Sequence, residues 1–463
     1  MRVRYLFKSF QAALGCTTRG LSVNGFLFPG NHVIIQRSSL GDAAAQNAMP
    51  TKTVRDMVDK FTCMVGASST YSAATVDRTE LLKLLPKSQD ELPTRTMSDS
   101  WDSAVIPLST NKCLREKYIT FNEGVRIGRL LEDLDVFSAW LCYRHVHNPR
   151  QAEHPDLPSP YIIVTGMMDR MDFCKGVKLD PNHDIRISGH VSWTGTSSIE
   201  TIVHVDQLQD GAWKKVTTAV FVFVARDPLN QGAAIINKLV PNTEEEKKIF
   251  EQGVLNKLSR KIVKEESLFK QPPNETEKNL VHELFLSMSN PKQHEFAPKR
   301  KPQGSRWISE TKIKNIIMCH PEHRNRFGKV FGGFIMRKAI ELAWTSALVH
   351  SGQRCTISHI DDVVFTRPVE VGSLLYLNAQ VVYTDGEHMQ VSTKASMMDP
   401  VTQTLSLTNI FHFTFAADSA VPPVLPCTYH EAMMYLDGRR HYQLVTGERR
   451  YYGQQESNED RHD

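Results

Sequence analysis

The chain has 463 residues, which is too long for one ordinary hydrophobic core and predicts two or three domains. Its composition, with 41% hydrophobic and 23% charged residues, is typical of a soluble globular protein. A net charge of +4 is too small to indicate nucleic acid as a partner, and the longest apolar runs are strand-sized, which argues against a transmembrane segment. Eight scattered cysteines without a Cys-x-x-Cys motif favour a reducing compartment over a disulfide scaffold.

The charge is unevenly distributed, because residues 1–41 contain five basic residues and no acidic one. Without this segment the net charge would be 4 − 5 = −1 instead of +4. Apolar residues near the start, among them Leu6, Phe7 and Phe10, fall on one helical face, a pattern typical of a mitochondrial transit peptide. The alternative is a disordered basic tail. Residues 42–94 are then predicted to form an N-terminal arm with a helix over Thr53–Phe61.

Two long segments of the chain show the same order of elements. In the first, a helix over Arg129–Tyr143 precedes the strand-like runs Tyr161–Phe173, Asp184–Trp193, Ser198–Asp206 and Trp213–Ala225. In the second, a strand over Lys314–Cys319 and a helix after Gly333 precede Thr356–Phe365, Leu374–Thr384, Met389–Met397 and Thr404–Phe415. Two helices between the segments, Thr243–Phe269 and Glu275–Met288, form a predicted linker. Residues after Pro422 look largely polar.

The similarity extends to the residues themselves. Ile187–Gln207 matches Leu377–Asp399 in hydrophobic spacing, and Thr217–Asp227 matches Leu407–Asp418. The two helices also end alike, with FSAW at Phe137–Trp140 and ELAW at Glu341–Trp344. A duplicated α+β domain follows, with boundaries predicted at 95–230 and 291–418 on either side of a helical linker at 231–290, and with a C-terminal tail at 419–463.

The helix of the second copy has the features of a reaction site. Gly332 and Gly333 stand at its start, where free helix N–H groups can meet an oxygen of a ligand. The helix is apolar on nearly every side but carries Glu341, and Asn325 lies a few residues upstream. The simpler interpretation is a core helix whose Glu341 pairs with Arg337 one turn earlier.

A duplicated buried helix that begins with Asn-x-x-Gly-x-Val-Phe-Gly-Gly and is followed by a long antiparallel sheet resembles the double-hotdog acyl-coenzyme A thioesterases. The phrase at Arg367–Leu375 supports the resemblance, which covers about residues 95–418. It implies an α+β fold of two tandem hotdog domains, each a long helix wrapped by an antiparallel sheet, packed as a pseudo-dimer. It also implies hydrolysis of acyl-coenzyme A by water at the interface of the two domains, without a covalent nucleophile.

The resemblance assigns roles to residues of the second copy. Asn325 matches the polar residue and Gly333 the backbone donor that polarise the thioester carbonyl. Gly328, Gly332 and, in the degenerate first copy, Gly128 match substrate-binding positions. Fixed N–H donors stabilise the charge that develops on a carbonyl oxygen, and a buried carboxylate with a raised pKa suits a general base.

The position of the carboxylate is the open question. The family's acid stands seven residues after the second glycine, which gives Ile340 in the second copy, with Glu341 one residue later. Counted from Gly128, the same spacing gives Asp135. However, the match of FSAW to ELAW favours a different register, in which Gly128 corresponds to the first glycine. Asp135 is the first candidate for the base and Glu341 the second. Glu132 and Asp133 rank below them, because acidic residues in the first turns of a helix often only interact favourably with the helix dipole.

Other chemistries have weaker signals. No Gly-x-Ser-x-Gly motif supplies a serine nucleophile. His320 and His323 flank Pro321-Glu322 but lack a third ligand, so no metal or cofactor is expected. The functional alternative to a thioesterase is a non-catalytic acyl-coenzyme A binding or sensing protein. The expected setting is the mitochondrial matrix, and the expected partners are the acyl-coenzyme A substrate and further copies of the chain.

Overall fold

The computed structural model describes residues 52–65, 77–173, 179–289, 300–325 and 328–448. They belong to one compact unit, Asn47–Asp463. The predicted transit peptide at residues 1–41 lies outside the described residues. Among the described helices, none is both long and apolar enough to span a membrane.

The α-helices of the described residues differ widely in length. They are α1 Val54–Val65, α2 Met97–Ser100, α3 Lys112–Tyr118, α4 Ile127–His145, α5 Pro149–Ala152, α6 Glu244–Glu265, α7 Glu275–Ser287, α8 Gly332–Ser351 and α9 Tyr429–Thr446. Short 3-10 turns occur at Thr79–Leu84, Gln89–Glu91, Ile308–Thr311 and Pro321–His323.

The strands are mostly long. They are β1 Asp102–Ile106, β2 Ile162–Phe173, β3 Ile185–Thr194, β4 Ser198–Gln209, β5 Ala212–Arg226, β6 Arg306–Trp307, β7 Ile313–Met318, β8 Cys355–Phe365, β9 Leu374–Asp385, β10 His388–Met398, β11 Leu405–Ala417 and β12 Val424–Leu425. Those expected from sequence are present with ends shifted by a few residues, whereas β1, β6 and β12 were not anticipated.

One antiparallel sheet of ten strands runs through both copies, in the order β1-β3-β4-β5-β2-β8-β11-β10-β9-β7. The first half, β1–β5, and the second half, β7–β11, have mirrored strand orders. They join where β2 pairs with β8, for example Met171 with Ile360. This arrangement confirms the predicted α+β fold of two tandem hotdog domains packed as a pseudo-dimer.

Each half wraps its sheet around one long helix, α4 in the first half and α8 in the second. Strand side chains that face the helices are bulky and fully buried, such as Phe221 and Phe223 on β5 and Phe411 and Phe413 on β11. The period-two alternation of buried and partly exposed positions along β5 is what an antiparallel sheet with one core face requires. The two long helices also pack against each other, so the cores of the halves are continuous.

The outer face of the sheet is covered by helices from the linker and from the C-terminal segment. On α6, Gly253 lies so close to β3 that an added Cβ would stand 2.5 Å from the Cβ of Trp193. On α9, Gly438 approaches β9 similarly, with 2.6 Å to Val382 Cγ2. In both places the absence of a side chain lets a helix lie directly on the sheet.

The interpretation of residues 419–463 as a polar tail is wrong for Tyr429–Thr446, which form α9. This helix buries Ala432, Tyr435, Leu436 and Tyr442, which fall on one face at positions i, i+3, i+4 and i+10. Scattered charges around these residues conceal the helical spacing in the sequence. The N-terminal arm packs as well, because Phe61 of α1 contacts the rings of Trp140 and Tyr143 at 6.1 and 5.3 Å.

A buried ion pair fastens α9 to the linker. Arg440 donates to both carboxylate oxygens of Glu277 on α7 at 2.6 and 2.7 Å, and the two side chains are 12% and 4% exposed. Arg440 also donates to the carbonyl of Glu266 at 2.7 Å. The pair thereby joins two helices that are distant in sequence.

We expect Arg440→Ala to lower the free energy of unfolding by about 3–5 kcal/mol, because the substitution leaves the Glu277 carboxylate buried without its partner. Urea unfolding followed by circular dichroism measures this. The matched control is Lys278→Ala on the same helix, which breaks an exposed ion pair with Glu275 and should cost only about 0–1 kcal/mol. Equal effects of the two variants would contradict a special role for the buried pair.

Candidate active site

The two long helices cross in antiparallel directions, and a glycine of each lies close to the backbone of the other. A Cβ added to Gly333 would stand 2.9 Å from the Cα of Glu132, and one added to Gly128 would stand 3.3 Å from the Cα of Arg337. These reciprocal contacts have the same offset between the halves, because 333 − 128 and 337 − 132 both equal 205. Gly128 therefore corresponds to Gly333.

The register suggested by FSAW and ELAW, which differs by one residue, is wrong. The two tryptophans have unrelated partners: Trp140 Nε1 donates to Asp102 at 2.6 Å, and Trp344 Nε1 donates to the carbonyl of Cys355 at 3.0 Å. Each indole is oriented by its own surroundings and does not mark equivalent turns. With the offset of 205, Asp135 corresponds to Ile340.

Asp135 is fully buried at the start of α8 from the other half. Its Oδ2 accepts a hydrogen bond from the Gly333 N–H at 2.9 Å, and its Oδ1 accepts one from the Thr165 hydroxyl at 2.8 Å. The N-cap residue of α8, Phe331, has no capping side chain. Asp135 thus satisfies a helix N–H group from outside the helix, where the helix dipole also favours a negative charge.

Burial raises the pKa of the Asp135 carboxyl to about 7, although its hydrogen bonds from Thr165 and Gly333 act in the opposite direction. A carboxyl with this pKa is ionised in a large fraction of molecules at neutral pH and can still accept a proton. Gly332 adjoins the same carboxylate, since a Cβ on it would stand 3.2 Å from Asp135 Oδ2 and from the Phe365 ring. Two consecutive glycines therefore let the backbone of α8 come close to the carboxylate, where a side chain would not fit.

The pseudo-symmetric contact, of Gly128 with α8, has no acidic residue in the position of Asp135. There Gly128 faces Ile340, whose Cγ2 would lie 3.0 Å from an added Cβ. The pseudo-dimer therefore has two related helix contacts, but only the contact of Gly333 with Asp135 contains a carboxylate.

Glu341 lies in a different environment from the one expected of a base. Its Oε1 accepts from Arg126 Nη2 of the first half at 2.5 Å, so the pairing with Arg337 within α8 is wrong. Arg337 instead lies 2.9 Å from Glu132 Oε1 of α4, and Glu132 also pairs with Arg129. These ion pairs connect the two helices beside the Asp135 contact.

Asn325 lies in the segment that leads into α8. Its Oδ1 accepts from the backbone N–H of Lys329 at 3.1 Å, which closes a turn around Gly328. Gly328 has φ +72°, a backbone conformation that glycine adopts without strain. Just before this turn, the His323 ring stacks on Phe334 of α8 with ring centroids 4.0 Å apart. The turn is thereby attached to the first turn of the helix.

Thr165, the residue that orients Asp135, was missed by the sequence analysis. It is one of several threonines in β-branched strands and has no motif around it that distinguishes it. Its role follows only from the wrapping of β2 around α4. Asp133, in contrast, accepts a hydrogen bond from the Tyr118 hydroxyl. Among the described hydrogen bonds, it has none with Gly333.

Comparisons with known proteins show which family this chain resembles. The family model described as Thioesterase superfamily matches residues 327–396. Acyl-coenzyme A thioesterase 9, mitochondrial, of Mus musculus is 42% identical over 397 residues, which cover 85% of this chain and 89% of that protein. Acyl-coenzyme A thioesterase 4, mitochondrial, of Humulus lupulus is 32% identical over 372 residues, covering 76% of this chain and 68% of that protein.

Solved structures with a similar fold include an acyl-CoA hydrolase from Staphylococcus aureus in complex with butyryl coenzyme A, coenzyme A and coenzyme A disulfide. It is 24% identical, with a TM-score of 0.29, and the match covers 31% of this chain and 95% of that chain.

The buried carboxylate of Asp135 should destabilise the fold at high pH. Its folded pKa of about 7 is above the unfolded value of about 3.9, so the cost of ionisation is absent below pH 4, grows between pH 4 and 7, and is complete above pH 7. We expect Asp135→Asn to raise the unfolding free energy at pH 8 by a few kcal/mol and to change it little at pH 4.

Denaturant unfolding at the two pH values measures this difference. Glu341→Gln is the control, because it removes a carboxylate that already has a cationic partner and should give no gain at pH 8. A loss of stability of Asp135→Asn at pH 8 would contradict the electrostatic cost assigned to this carboxylate.

Proposed function

The chain belongs to the acyl-coenzyme A thioesterases, and from this premise we propose that it hydrolyses fatty acyl-coenzyme A at a single site between its two halves, where the Gly333 N–H meets Asp135. The protein is a thioester hydrolase, and acyl-coenzyme A is its substrate. The observation that carries the site assignment is the contact between a buried carboxylate of α4 and the first turn of α8. This hydrogen bond brings together a carboxylate that can accept a proton and an N–H group that can stabilise an oxyanion.

The proposed reaction begins when the thioester carbonyl oxygen replaces Asp135 as the acceptor of the Gly333 N–H. The developing negative charge then faces the N-terminus of α8, where N–H donors and the helix dipole stabilise it. Asp135 loses one hydrogen bond that favours its charged form, so its basicity increases as substrate binds. The bond from the Thr165 hydroxyl continues to orient the carboxylate.

Asp135 then takes a proton from a water molecule whose oxygen forms a bond to the carbonyl carbon. When the tetrahedral intermediate collapses, the carbon–sulfur bond breaks, and the proton on Asp135 passes to the leaving thiolate of coenzyme A. The products are a free fatty acid and coenzyme A, and the carboxylate is regenerated. Asn325 contributes a side-chain amide that, together with the Gly333 N–H, stabilises the negative charge on the carbonyl oxygen.

A non-catalytic binding or sensing protein is the weaker alternative, because the relatives that the chain matches over most of its length are thioesterases by name. Ile340 stands where the family's acid is expected in the second copy, but it faces Gly128 and is not part of the proposed site. One reacting centre per chain is therefore expected.

The protein is mitochondrial, in accord with its relatives named as such, and we assign it to the matrix because of the basic, acid-free segment at residues 1–41. The functional domains are assigned to 95–230 and 291–418. Assembly into homo-oligomers is supported by β7, an edge strand with exposed apolar side chains. Ile316 and Met318 on it are 55% and 43% exposed, and such an edge favours contact with another chain.

Asp135→Ala should lower kcat about 10²–10⁴-fold because it removes the general base. Asn325→Ala should lower kcat about 10²–10³-fold because it removes an amide that stabilises the oxyanion. Release of free thiol from acyl-coenzyme A measures both effects, with circular dichroism as a check of folding. Glu341→Ala is the matched control and should change kcat only a few-fold. If the first two variants keep full turnover, the site assignment is wrong.

The pH dependence provides an independent test. Because Asp135 must be ionised, kcat/KM should fall tenfold for each pH unit below about 7 and level off above it. The neighbouring Asp133 also has its pKa raised by burial to about 7, so Asp133→Asn is the control and should retain the same acidic limb. An acidic limb that vanishes in Asp133→Asn would move the titrating group to that residue.

A further inference from the structure

Apart from the Asp135 contact, two histidines meet on the outer face of the second half. His412 lies on β11, where it is buried, and His441 lies on α9. Asp437 stands one turn before His441 on the same helix. One ligand atom from each of the three side chains lies within 4.8 Å of the other two. Two imidazoles and a carboxylate are the ligand types that zinc prefers.

The surroundings of His441 resemble the outer shell of a metal site. Its Nδ1 lies 2.9 Å from Asp361 Oδ2 on β8. A carboxylate in this position fixes a proton on Nδ1 and leaves the Nε2 lone pair for a metal. Asp361 comes from a third element, so the arrangement joins α9, β11 and β8 at one point.

His412 contributes a buried nitrogen without a protein partner. The side chain is only 6% exposed, and among the described residues its Nδ1 has no hydrogen-bond partner. A buried ring nitrogen in this state costs free energy unless a ligand or a water molecule occupies it. This observation is independent of the cluster geometry and leaves a buried ring nitrogen open to a ligand or a water molecule.

The two imidazole rings lie face to face, with centroids 3.7 Å apart and planes inclined by 16°. A metal must lie near the plane of each ring it binds, so one ring must rotate out of the stack. Asp361 holds His441, whereas the His412 Nδ1 is not held by a hydrogen bond. Rotation of the His412 ring about its terminal side-chain bond is therefore the movement that completes the site.

An adjoining cavity provides space for this rotation and a path of entry. It has a volume of about 220 Å³ and is lined by His412 and His441 together with Val364, Leu407 and Ile410. Val364 and Leu407 are 39% and 47% exposed, so the cavity reaches the surface beside these residues. A water molecule from it can supply the fourth position of a tetrahedral zinc site.

We propose that His412, His441 and Asp437 form a zinc site that fastens the C-terminal helix α9 to the outer face of the sheet. Asp361 is a positioning residue that orients His441. The ion bridges β11 and α9 and neutralises the carboxylate of Asp437. Because the acyl-coenzyme A site lies at the crossing of α4 and α8, zinc here has a structural role and turnover does not require it.

Isothermal titration of the metal-stripped full-length protein with Zn²⁺ tests the proposal. The expected result is one tight equivalent per chain and a higher Tm in the presence of zinc. His412→Ala and His441→Ala should remove that equivalent. Asp361→Asn should weaken zinc binding about 10–100-fold, because it removes the outer-shell carboxylate.

Two further variants, Asp437→Asn and His430→Ala, separate a loss of zinc binding from a loss of folding. Asp437 is partly exposed, so Asp437→Asn should keep the fold and thioesterase turnover while losing the tight zinc equivalent. His430 is exposed at the start of the same helix, so His430→Ala should bind zinc as the native protein does. The proposal is overturned if the native protein binds no tight zinc. It is equally overturned if folded His412→Ala and Asp437→Asn variants bind zinc with unchanged stoichiometry and affinity.

Discussion

The hydrogen bond from the Gly333 N–H to Asp135 is the contact on which the arrangement of the two halves depends. It places the carboxylate of one long helix at the N-terminus of the other, 198 residues later in the chain. A buried carboxylate is costly, and a helix terminus without a capping side chain is also unfavourable. The helix N–H group stabilises the carboxylate, and the carboxylate caps the helix, but only when both halves are packed together. The same packing produces a polar position within an apolar interface.

Duplication within one chain allowed the two related contacts to diverge. In a symmetric dimer both crossings would carry the same residues, whereas here Asp135 has Ile340 as its counterpart. The ion pairs of Arg126 with Glu341 and of Arg337 with Glu132 likewise join different residue types across the pseudo-symmetric interface. The continuous pairing of β2 with β8 keeps the halves in register while their side chains differ. A fused chain can therefore specialise one site and use the other crossing only for packing.

The repeated strands and helices could be predicted from the sequence because their signals are local. Runs of β-branched and aromatic residues between turn residues define the strands, and the match between copies supports each assignment. Asp135 was found by counting from Gly128, since both residues lie on one helix. Thr165 and Arg126 could not be found in this way, because their contacts depend on how a strand or a second helix crosses α4. The helix α9 was missed because polar residues separate its buried positions.

The mismatch of FSAW with ELAW shows the limit of comparing short segments. Trp140 of α4 and Trp344 of α8 appear equivalent in sequence, but each hydrogen-bonds a different part of the fold. Equivalence was decided instead by the close approach of glycines, because backbone contacts at a helix crossing tolerate no change of register. Contacts of this kind are fixed by packing density and leave no trace in composition.

The central claim is that a single site, at Gly333 and Asp135, receives the thioester. A crystal structure of the Asp135→Asn variant with intact acyl-coenzyme A tests it most directly, since the variant should bind substrate without consuming it. We expect the thioester carbonyl oxygen within hydrogen-bond distance of the Gly333 nitrogen and no thioester at the contact of Gly128 with Ile340. A thioester bound at the contact of Gly128 with Ile340, and none at Gly333, would contradict it.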